Sequence, residues 1–236
     1  MTAFFIGCSL TYGDDLENKN DAWPSLVAKS KKIDFVNGAV SGGSNERIVY
    51  QVVKNLDEYD RFYIAWSDIS RFTRYFNDNH EINFNIQLEN RRFSNEPCFV
   101  NYGKLHYRYW YNELYAFKTW LQQIVLLQTY LDANSKKWMM INAFGNNVER
   151  WTSDWPDFNN SVKSLLCFDQ MEDEQLFLEH SEIKKLEQKI DTTRFPGWKN
   201  VSLATLTRDY PKGLTNHPLK QGHQAIAEYI LSYDTD

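Results

Sequence analysis

The residue best placed for covalent chemistry is a serine that directly follows the first apolar segment of the chain. The run Phe5-Ile-Gly-Cys-Ser-Leu-Thr-Tyr-Gly13 reads as a buried strand that ends at a tight turn carrying Ser9. A hydroxyl at such a turn is open to substrate, and the serine N–H points at a developing oxyanion. Ser9 is therefore the candidate nucleophile. The alternative is a serine that only caps the following turn.

A second segment has the glycines that an oxyanion site needs. Gly42 and Gly43 follow a predicted strand and precede a predicted helix. Backbone N–H groups at a helix start suit an anion, and glycine lets a ligand approach them closely. The alternative is an ordinary glycine turn with Ser44 as the helix cap, and both can hold together. Gly43, Asn45 and Trp66 adjoin these turns and are candidate substrate-binding residues.

The third segment, Thr215-Asn-His-Pro-Leu-Lys-Gln-Gly-His223, supplies a base. His217 precedes a proline that fixes its backbone ahead of the last predicted helix, at the sheet edge expected to carry the other two segments. Within that helix, His223 is expected to be a packing or capping group. The remaining histidines, His80, His106 and His180, are expected to be structural.

Together the three segments resemble the GDSL/SGNH hydrolase family. Residues 7–13 match its first block, Gly-x-Ser-x-Thr-x-Gly, and residues 217–223 match its last, His-Pro-x-x-x-Gly-His. The resemblance implies that Ser9 is the nucleophile, that Gly42 is the oxyanion glycine and that His217 is the general base. It also implies that no metal and no organic cofactor are needed.

Two positions depart from the family pattern. Ser67 stands where the third block has an asparagine that donates to the oxyanion, and a serine hydroxyl reaches less far. The family's acid is expected at Leu214 or Thr215, and neither is a carboxylate. Thr215 Oγ1, a backbone carbonyl or a folded-back Asp209 are the candidate acceptors for the imidazole N–H. The loop carboxylates of Asp14 and Asp15 could also contribute to orienting His217, but they are rather expected to cap turns or face solvent.

Strands alternating with helices predict an α/β fold, a three-layer α/β/α sandwich with a mostly parallel five-stranded sheet. The predicted strands are 2–7, 33–37, 61–66, 137–142 and a short last one at 201–203. Predicted helices cover about 21–31, about 44–56, 107–131, about 179–190 and a C-terminal segment opened by Pro218. We expect one SGNH-like domain, 1–236, with insertions at about 67–103 and 145–200, the second of which could form a lid.

Aromatic residues make up 16% of the chain, and they are dense between Phe99 and Trp120. At helical spacing Tyr107, Tyr111 and Tyr115 are expected to face the core. The other rings, with the tryptophans of the second insertion, could line a groove that stacks on sugar rings or holds an acyl chain.

Composition narrows the location and the partners. The net charge is −5 and basic residues are not clustered, which disfavours nucleic acid as a partner. The three cysteines are widely spaced and suggest neither a disulfide framework nor a zinc site; Cys8 is expected to be a buried thiol. The N-terminal apolar run is too short for a signal peptide or a membrane span, so a cytoplasmic location is expected.

These features predict an ester hydrolase, either an esterase or a carbohydrate O-deacetylase, acting on a small-molecule or glycan ester. The missing acid and the altered third block keep open a degenerate protein that binds a glycan or a protein partner without turnover. A phosphodiester hydrolase is a weaker third reading, because no cluster of metal ligands is visible in the sequence.

Overall fold

A computed structural model of the chain describes residues 1–77, 80–84, 97–163 and 172–235. Parts of both predicted insertions, residues 78–79, 85–96 and 164–171, lie outside these ranges. The strands are β1 Thr2–Ile6, β2 Asp34–Asn37, β3 Arg61–Trp66, β4 Phe72–Asn77, β5 His80–Phe84 and β6 Lys137–Asn142. The helices are α1 Ser9–Tyr12, α2 Trp23–Lys31, α3 Asn45–Lys54, α4 Pro97–Tyr109, α5 Glu113–Ala133, α6 Val148–Trp151, α7 Trp155–Lys163, α8 Asp173–Glu187, α9 Leu203–Leu206 and α10 Lys220–Tyr233.

The central sheet is parallel and has the strand order β2-β1-β3-β6. Side chains alternate along each strand, so β1 contributes Phe4 and Ile6 to one core and Ala3 and Phe5 to the other. Helices α3 and α5 cover the first face, and α2 and α10 cover the second. The predicted three-layer α/β/α architecture is therefore confirmed.

The predicted count of five strands is wrong for the described sheet, which has four. At the expected fifth strand, Ser202 forms only an isolated parallel bridge with Asn142. The Ser202 hydroxyl accepts from the Thr205 N–H, and the Thr205 hydroxyl accepts in turn from the Ser202 N–H. This reciprocal capping box starts α9 and ends the extended segment after a single pairing.

Three predicted helices have different bounds in the structure. The segment predicted as one helix over 107–131 is two, α4 and α5, because Asn112 caps a new start by accepting from the Tyr115 N–H at 2.9 Å. The helix predicted at about 179–190 begins earlier and is α8. The helix predicted over about 21–31 begins at Trp23 as α2, after Ala22, whose side chain makes no cap bond.

The described part of the first insertion has regular structure of its own. Strands β4 and β5 form an antiparallel pair in which the Phe72 and Phe84 rings stack with centroids 4.5 Å apart. Helix α4 lies against this pair, with His106 and Tyr107 in ring contact with Phe72.

Candidate active site

Ser9 is the first residue of α1, at the carboxyl end of β1. Gly7 makes the turn possible, because a Cβ there would lie 2.3 Å from Thr11 Oγ1. Cys8 is extended and forms the helix N-cap with its thiol buried, as predicted. Ser9 is 4% exposed, and Leu10, which follows it, lines the same cavity as His217.

The glycine segment packs directly on this turn. The Val40 N–H donates to the Gly7 carbonyl at 3.4 Å, and a Cβ on Gly43 would lie 3.1 Å from the same oxygen. Gly43 uses its own N–H to bond Val40 at 3.2 Å, so it has no N–H left for a ligand. Gly42 has φ of 75°, and within the described residues neither its N–H nor that of Ser9 has an acceptor. Ser44 caps α3 by accepting from the Arg47 N–H, as predicted.

His217 is held by a threonine hydroxyl and, through it, by a carboxylate. Thr215 Oγ1 lies 2.7 Å from His217 Nδ1 and donates its proton to Asp15 Oδ2 at 2.7 Å. A hydroxyl has one proton, so a hydroxyl that donates to Asp15 accepts from His217. The Nδ1 atom then carries the imidazole proton, and Nε2 is left with its lone pair as a base. Of the candidate acceptors for the imidazole N–H, Thr215 is thus the one in contact with Nδ1.

The carboxylate in this relay is Asp15, for which the favoured expectation was capping a turn or facing solvent. Its Oδ2 also accepts from the backbone N–H groups of Thr215 at 2.7 Å and His217 at 3.3 Å, and it lies 3.7 Å from His217 Nδ1. Desolvation alone raises the pKa of this carboxyl, but the Thr215 and His217 hydrogen bonds and the His217 charge together lower it. Asp209, the carboxylate considered as a possible acceptor, is exposed, and the carboxylate that lies next to His217 is Asp15.

Ser67 is fully buried, so its hydroxyl is not presented to the cavity. Its Oγ accepts from Arg71 Nη1 at 3.2 Å. The Asn45 amide bonds both the N–H and the carbonyl of Ser67, at 2.7 and 3.2 Å, which makes Asn45 a support for this turn. Asn146, which the sequence did not single out, donates to the same carbonyl at 3.0 Å. The expected substrate-binding residue Trp66 lies in the hydrophobic core, because every residue of β3 is buried between the two helical layers.

Two adjoining cavities open at this edge of the sheet. The first has a volume of about 330 Å³ and is lined by His217, Leu10, Asp68, Arg71, Phe144 and Lys212, among others. The second, of about 150 Å³, is lined by aromatic rings and amides and shares Ser70 and Arg71 with the first. Arg71 therefore stands at the junction of the two cavities.

The aromatic residues that are exposed and those that are buried differ from the prediction. Tyr115, expected to face the core, is 67% exposed, since the new helix start at Asn112 turns it outward. It lines the second cavity together with Trp110, which is 65% exposed. Trp151 and Trp198 of the second insertion are buried and pack on Phe117 and Trp120 of α5. These two tryptophans belong to the core, so they line no groove and belong to no lid.

The other described histidines have packing or capping contacts. His223 is fully buried, and its Nδ1 accepts from the Trp23 N–H at the start of α2 at 3.2 Å, which confirms the predicted capping role. His180 Nε2 lies 2.9 Å from the Ser153 carbonyl, and the His106 ring is tilted against that of Phe72 with centroids 3.9 Å apart. The His80 side chain lies outside the described part.

The fold is that of the GDSL/SGNH hydrolases, as the sequence resemblance predicted. Similar solved structures include TesA, with a TM-score of 0.50, 10% identity and coverage of 100% of this chain and 98% of that one. The lipase Lip_vut3 from a goat rumen metagenome has a TM-score of 0.50 at 9% identity, covering 99% and 97%. A member of the lipolytic protein G-D-S-L family from Veillonella parvula DSM 2008 has a TM-score of 0.47 at 15% identity, covering 100% and 98%.

The chain belongs to the family of unknown function DUF6071, whose model matches residues 12–157. Ser9 and His217 lie outside the matched range, and Asp15 lies within it. A comparison with curated protein sequences gives no match. Within the ranges that the structure describes, no helix is both long enough and apolar enough to cross a membrane.

Proposed function

We propose that the protein is a serine-dependent ester hydrolase in which Ser9 attacks the ester carbonyl. His217 Nε2 takes the Ser9 proton as the new carbon–oxygen bond forms, then passes it to the leaving alcohol as the ester bond breaks. Next, His217 removes a proton from water, and the resulting hydroxide attacks the acyl-serine and releases the carboxylic acid. Ser9 recovers its proton, which closes the cycle.

The observation that carries this proposal is the Asp15–Thr215–His217 relay. A base needs one tautomer and one orientation, and an N–H···O contact at Nδ1 fixes both. The hydrogen bond of 2.7 Å from His217 to Thr215, backed by Asp15, does this without a carboxylate in direct contact. With the proton on Nδ1, the lone pair of Nε2 is the site that takes the proton of Ser9 in this proposal.

The backbone N–H groups of Ser9 and Gly42 are our candidates for the oxyanion hole. Both belong to turns that are in contact through Gly7 and Gly43. Donors of this kind stabilise the charge that develops on the carbonyl oxygen in the transition state. Loss of one such donor typically lowers the rate about 10²–10³-fold.

The substrate class that we propose is a small-molecule ester or an O-acetylated carbohydrate. The second cavity supports the carbohydrate option, because exposed rings such as Trp110 and Tyr115 can stack on a sugar face while nearby amides such as Asn112 bind hydroxyls. The second cavity adjoins the cavity of His217, so an acetyl group on a sugar bound there lies near the proposed base.

Covalent labelling tests the nucleophile directly. A fluorophosphonate should modify the wild-type protein at Ser9, as located by peptide mass spectrometry, and p-nitrophenyl acetate should be hydrolysed. Ser9→Ala should abolish both, with a loss on the order of 10⁶-fold for a nucleophile of this kind. Ser41→Ala, in the adjoining turn, is the matched control and should keep both. Labelling at another residue, or hydrolysis by Ser9→Ala at the wild-type rate, would refute the proposal.

A further inference from the structure

Two cations line the cavity of His217, and neither has a carboxylate partner in the part of the chain that the structure describes. Arg71 and Lys212 both line this cavity, and both are half-buried. Within the described residues, neither lies within ion-pair distance of an acidic side chain. A partly buried charge without a counter-charge costs free energy. The chain has acidic residues in excess, with a net charge of −5, yet none of the described ones pairs with these two cations.

The Arg71 guanidinium is held in place, and most of its donors have no acceptor among the described residues. Its Nη1 donates to Ser67 Oγ at 3.2 Å, and the group lies over the Phe144 ring at 4.9 Å. That is the one hydrogen bond its side chain makes to described residues. Nε and the second amino group remain for a ligand, and this planar fork matches a carboxylate in a bidentate geometry.

Lys212 is held in the same loop as the proposed base. Its neighbour Gly213 donates to the His217 carbonyl at 2.9 Å, and Lys212 itself pairs with Pro218 as an isolated antiparallel bridge. The position of Lys212 relative to His217 is therefore set by the backbone. A negative group bound by Lys212 lies close to the proposed reaction centre.

The acidic residue of this cavity, Asp68, is turned to its own loop. Its Oδ1 accepts from both the N–H and the hydroxyl of Ser70, at 2.8 and 2.6 Å. Among the described lining residues there are thus two cations and one carboxylate, and that carboxylate is already bonded. An anionic ligand bound here neutralises the excess positive charge of the lining.

We propose that the substrate carries a carboxylate, bound by Arg71 and Lys212, next to the ester bond that is cleaved. This inference rests on the proposed ester hydrolysis for its catalytic half. The two cations are specificity residues: they select esters whose acyl or alcohol part is negatively charged and hold them by charge-assisted hydrogen bonds.

Matched esters test the selection. One pair is para-acetoxybenzoate and its methyl ester, in which the charged member has its carboxylate in the alcohol part. The other pair is the p-nitrophenyl monoester of adipic acid and its methyl ester, in which the charged member has its carboxylate in the acyl part. In at least one pair the wild type should prefer the charged member by roughly tenfold or more in kcat/KM. A higher salt concentration should lower the charged-to-neutral ratio of kcat/KM, because salt screens the charges.

Charge-removing variants assign the preference to its residues. Arg71→Gln and Lys212→Gln should each lower the charged-to-neutral ratio by roughly five- to tenfold, mainly through a higher KM for the charged ester. Arg208→Gln removes a nearby exposed cation that does not line the cavity, and it should leave the ratio unchanged. A preference for the neutral member in both pairs, or a ratio unaffected in both cavity variants, overturns the inference.

A binding experiment separates this inference from the proposed function. Benzoate should bind to the Ser9→Ala protein in calorimetry, and binding should be lost with the additional change Arg71→Gln. If no ester is hydrolysed but benzoate binds in this Arg71-dependent way, the hydrolase proposal fails and the carboxylate site stands. If benzoate does not bind, or if inorganic phosphate binds and benzoate does not, the carboxylate assignment is wrong.

Discussion

At the scale of single residues, the hydroxyl of Thr215 joins a carboxylate and an imidazole that share no direct hydrogen bond. The Asp15 carboxylate lies 3.7 Å from His217 Nδ1, beyond a good hydrogen bond, while Thr215 Oγ1 lies 2.7 Å from each of them. The direction of both bonds follows from the single hydroxyl proton. The orientation of the proposed base therefore depends on a group that cannot itself be charged.

Replacing this hydroxyl by a methyl group should slow turnover. Thr215→Val keeps the side-chain shape but leaves Nδ1 and Asp15 without their shared partner, so we expect kcat for p-nitrophenyl acetate to fall by about 10²-fold or more. KM should change little, since the substrate is not the partner lost. Thr215→Ser keeps the hydroxyl and should stay near the wild-type rate. Thr215→Val with unchanged kcat would show that the relay does not orient the base.

The site residues were predictable from sequence to different degrees. His217 could be assigned because a proline fixes its backbone beside a recognisable block, and Thr215 because it stands two residues away. Asp15 could be named only as a less favoured alternative, since its contact joins residues 200 positions apart through a loop of left-handed backbone, with φ of 64° at Asp15. The sequence carries one sign of this contact, the glycine at position 213, because a Cβ there would lie 2.4 Å from the Asp15 side chain.

At the scale of elements, the break between α4 and α5 decides which aromatic residues meet solvent. Apolar residues continue at helical spacing across it, so periodicity alone predicts one helix. The difference lies in Asn112, whose side chain satisfies the Tyr115 N–H and makes a new helix start more favourable than continuation. Tyr115 and Trp110 then line the second cavity.

Removing this cap should destabilise the fold by a defined amount. For Asn112→Ala we expect a loss of about 1 kcal/mol in the free energy of unfolding, because one N–H at the start of α5 loses its acceptor. For a domain of this size, that corresponds to roughly 2–4 °C in Tm by thermal denaturation. Asn112→Asp keeps an acceptor oxygen and should stay within a few tenths of a kcal/mol. Equal losses in both variants would mean that the cap is not the cause.

At the scale of the whole molecule, the sheet and its two helical layers follow directly from the sequence. Period-two alternation in strands that are buried on both faces requires helices on both sides, and parallel strands place their carboxyl ends at one edge. That edge holds Ser9, Gly42 and the loop of His217. Strand number was less predictable, because a local capping box at Ser202 competes with pairing to β6.

Helices α2 and α10 on the second face are joined by a buried histidine, which should make the stability of the whole fold depend on pH. Burial first, then repulsion by His217, lowers the pKa of His223 from 6.5 to about 4. Between these values the unfolded chain binds a proton that the folded protein does not, so the free energy of unfolding should fall as pH is lowered from about 6.5 to 4. The slope from this one group is at most about 1.4 kcal/mol per pH unit.

The test is the slope measured in a variant that keeps the cap but cannot titrate. In His223→Asn, an amide oxygen can accept from the Trp23 N–H in place of Nδ1, while the proton-binding site is gone. Urea denaturation of both proteins at several pH values between 7 and 4.5 gives the two slopes. Any packing cost of the substitution shifts the variant's curve equally at every pH, so only the difference in slope matters. We expect a flatter curve for His223→Asn, and parallel curves would exclude His223 as the titrating group.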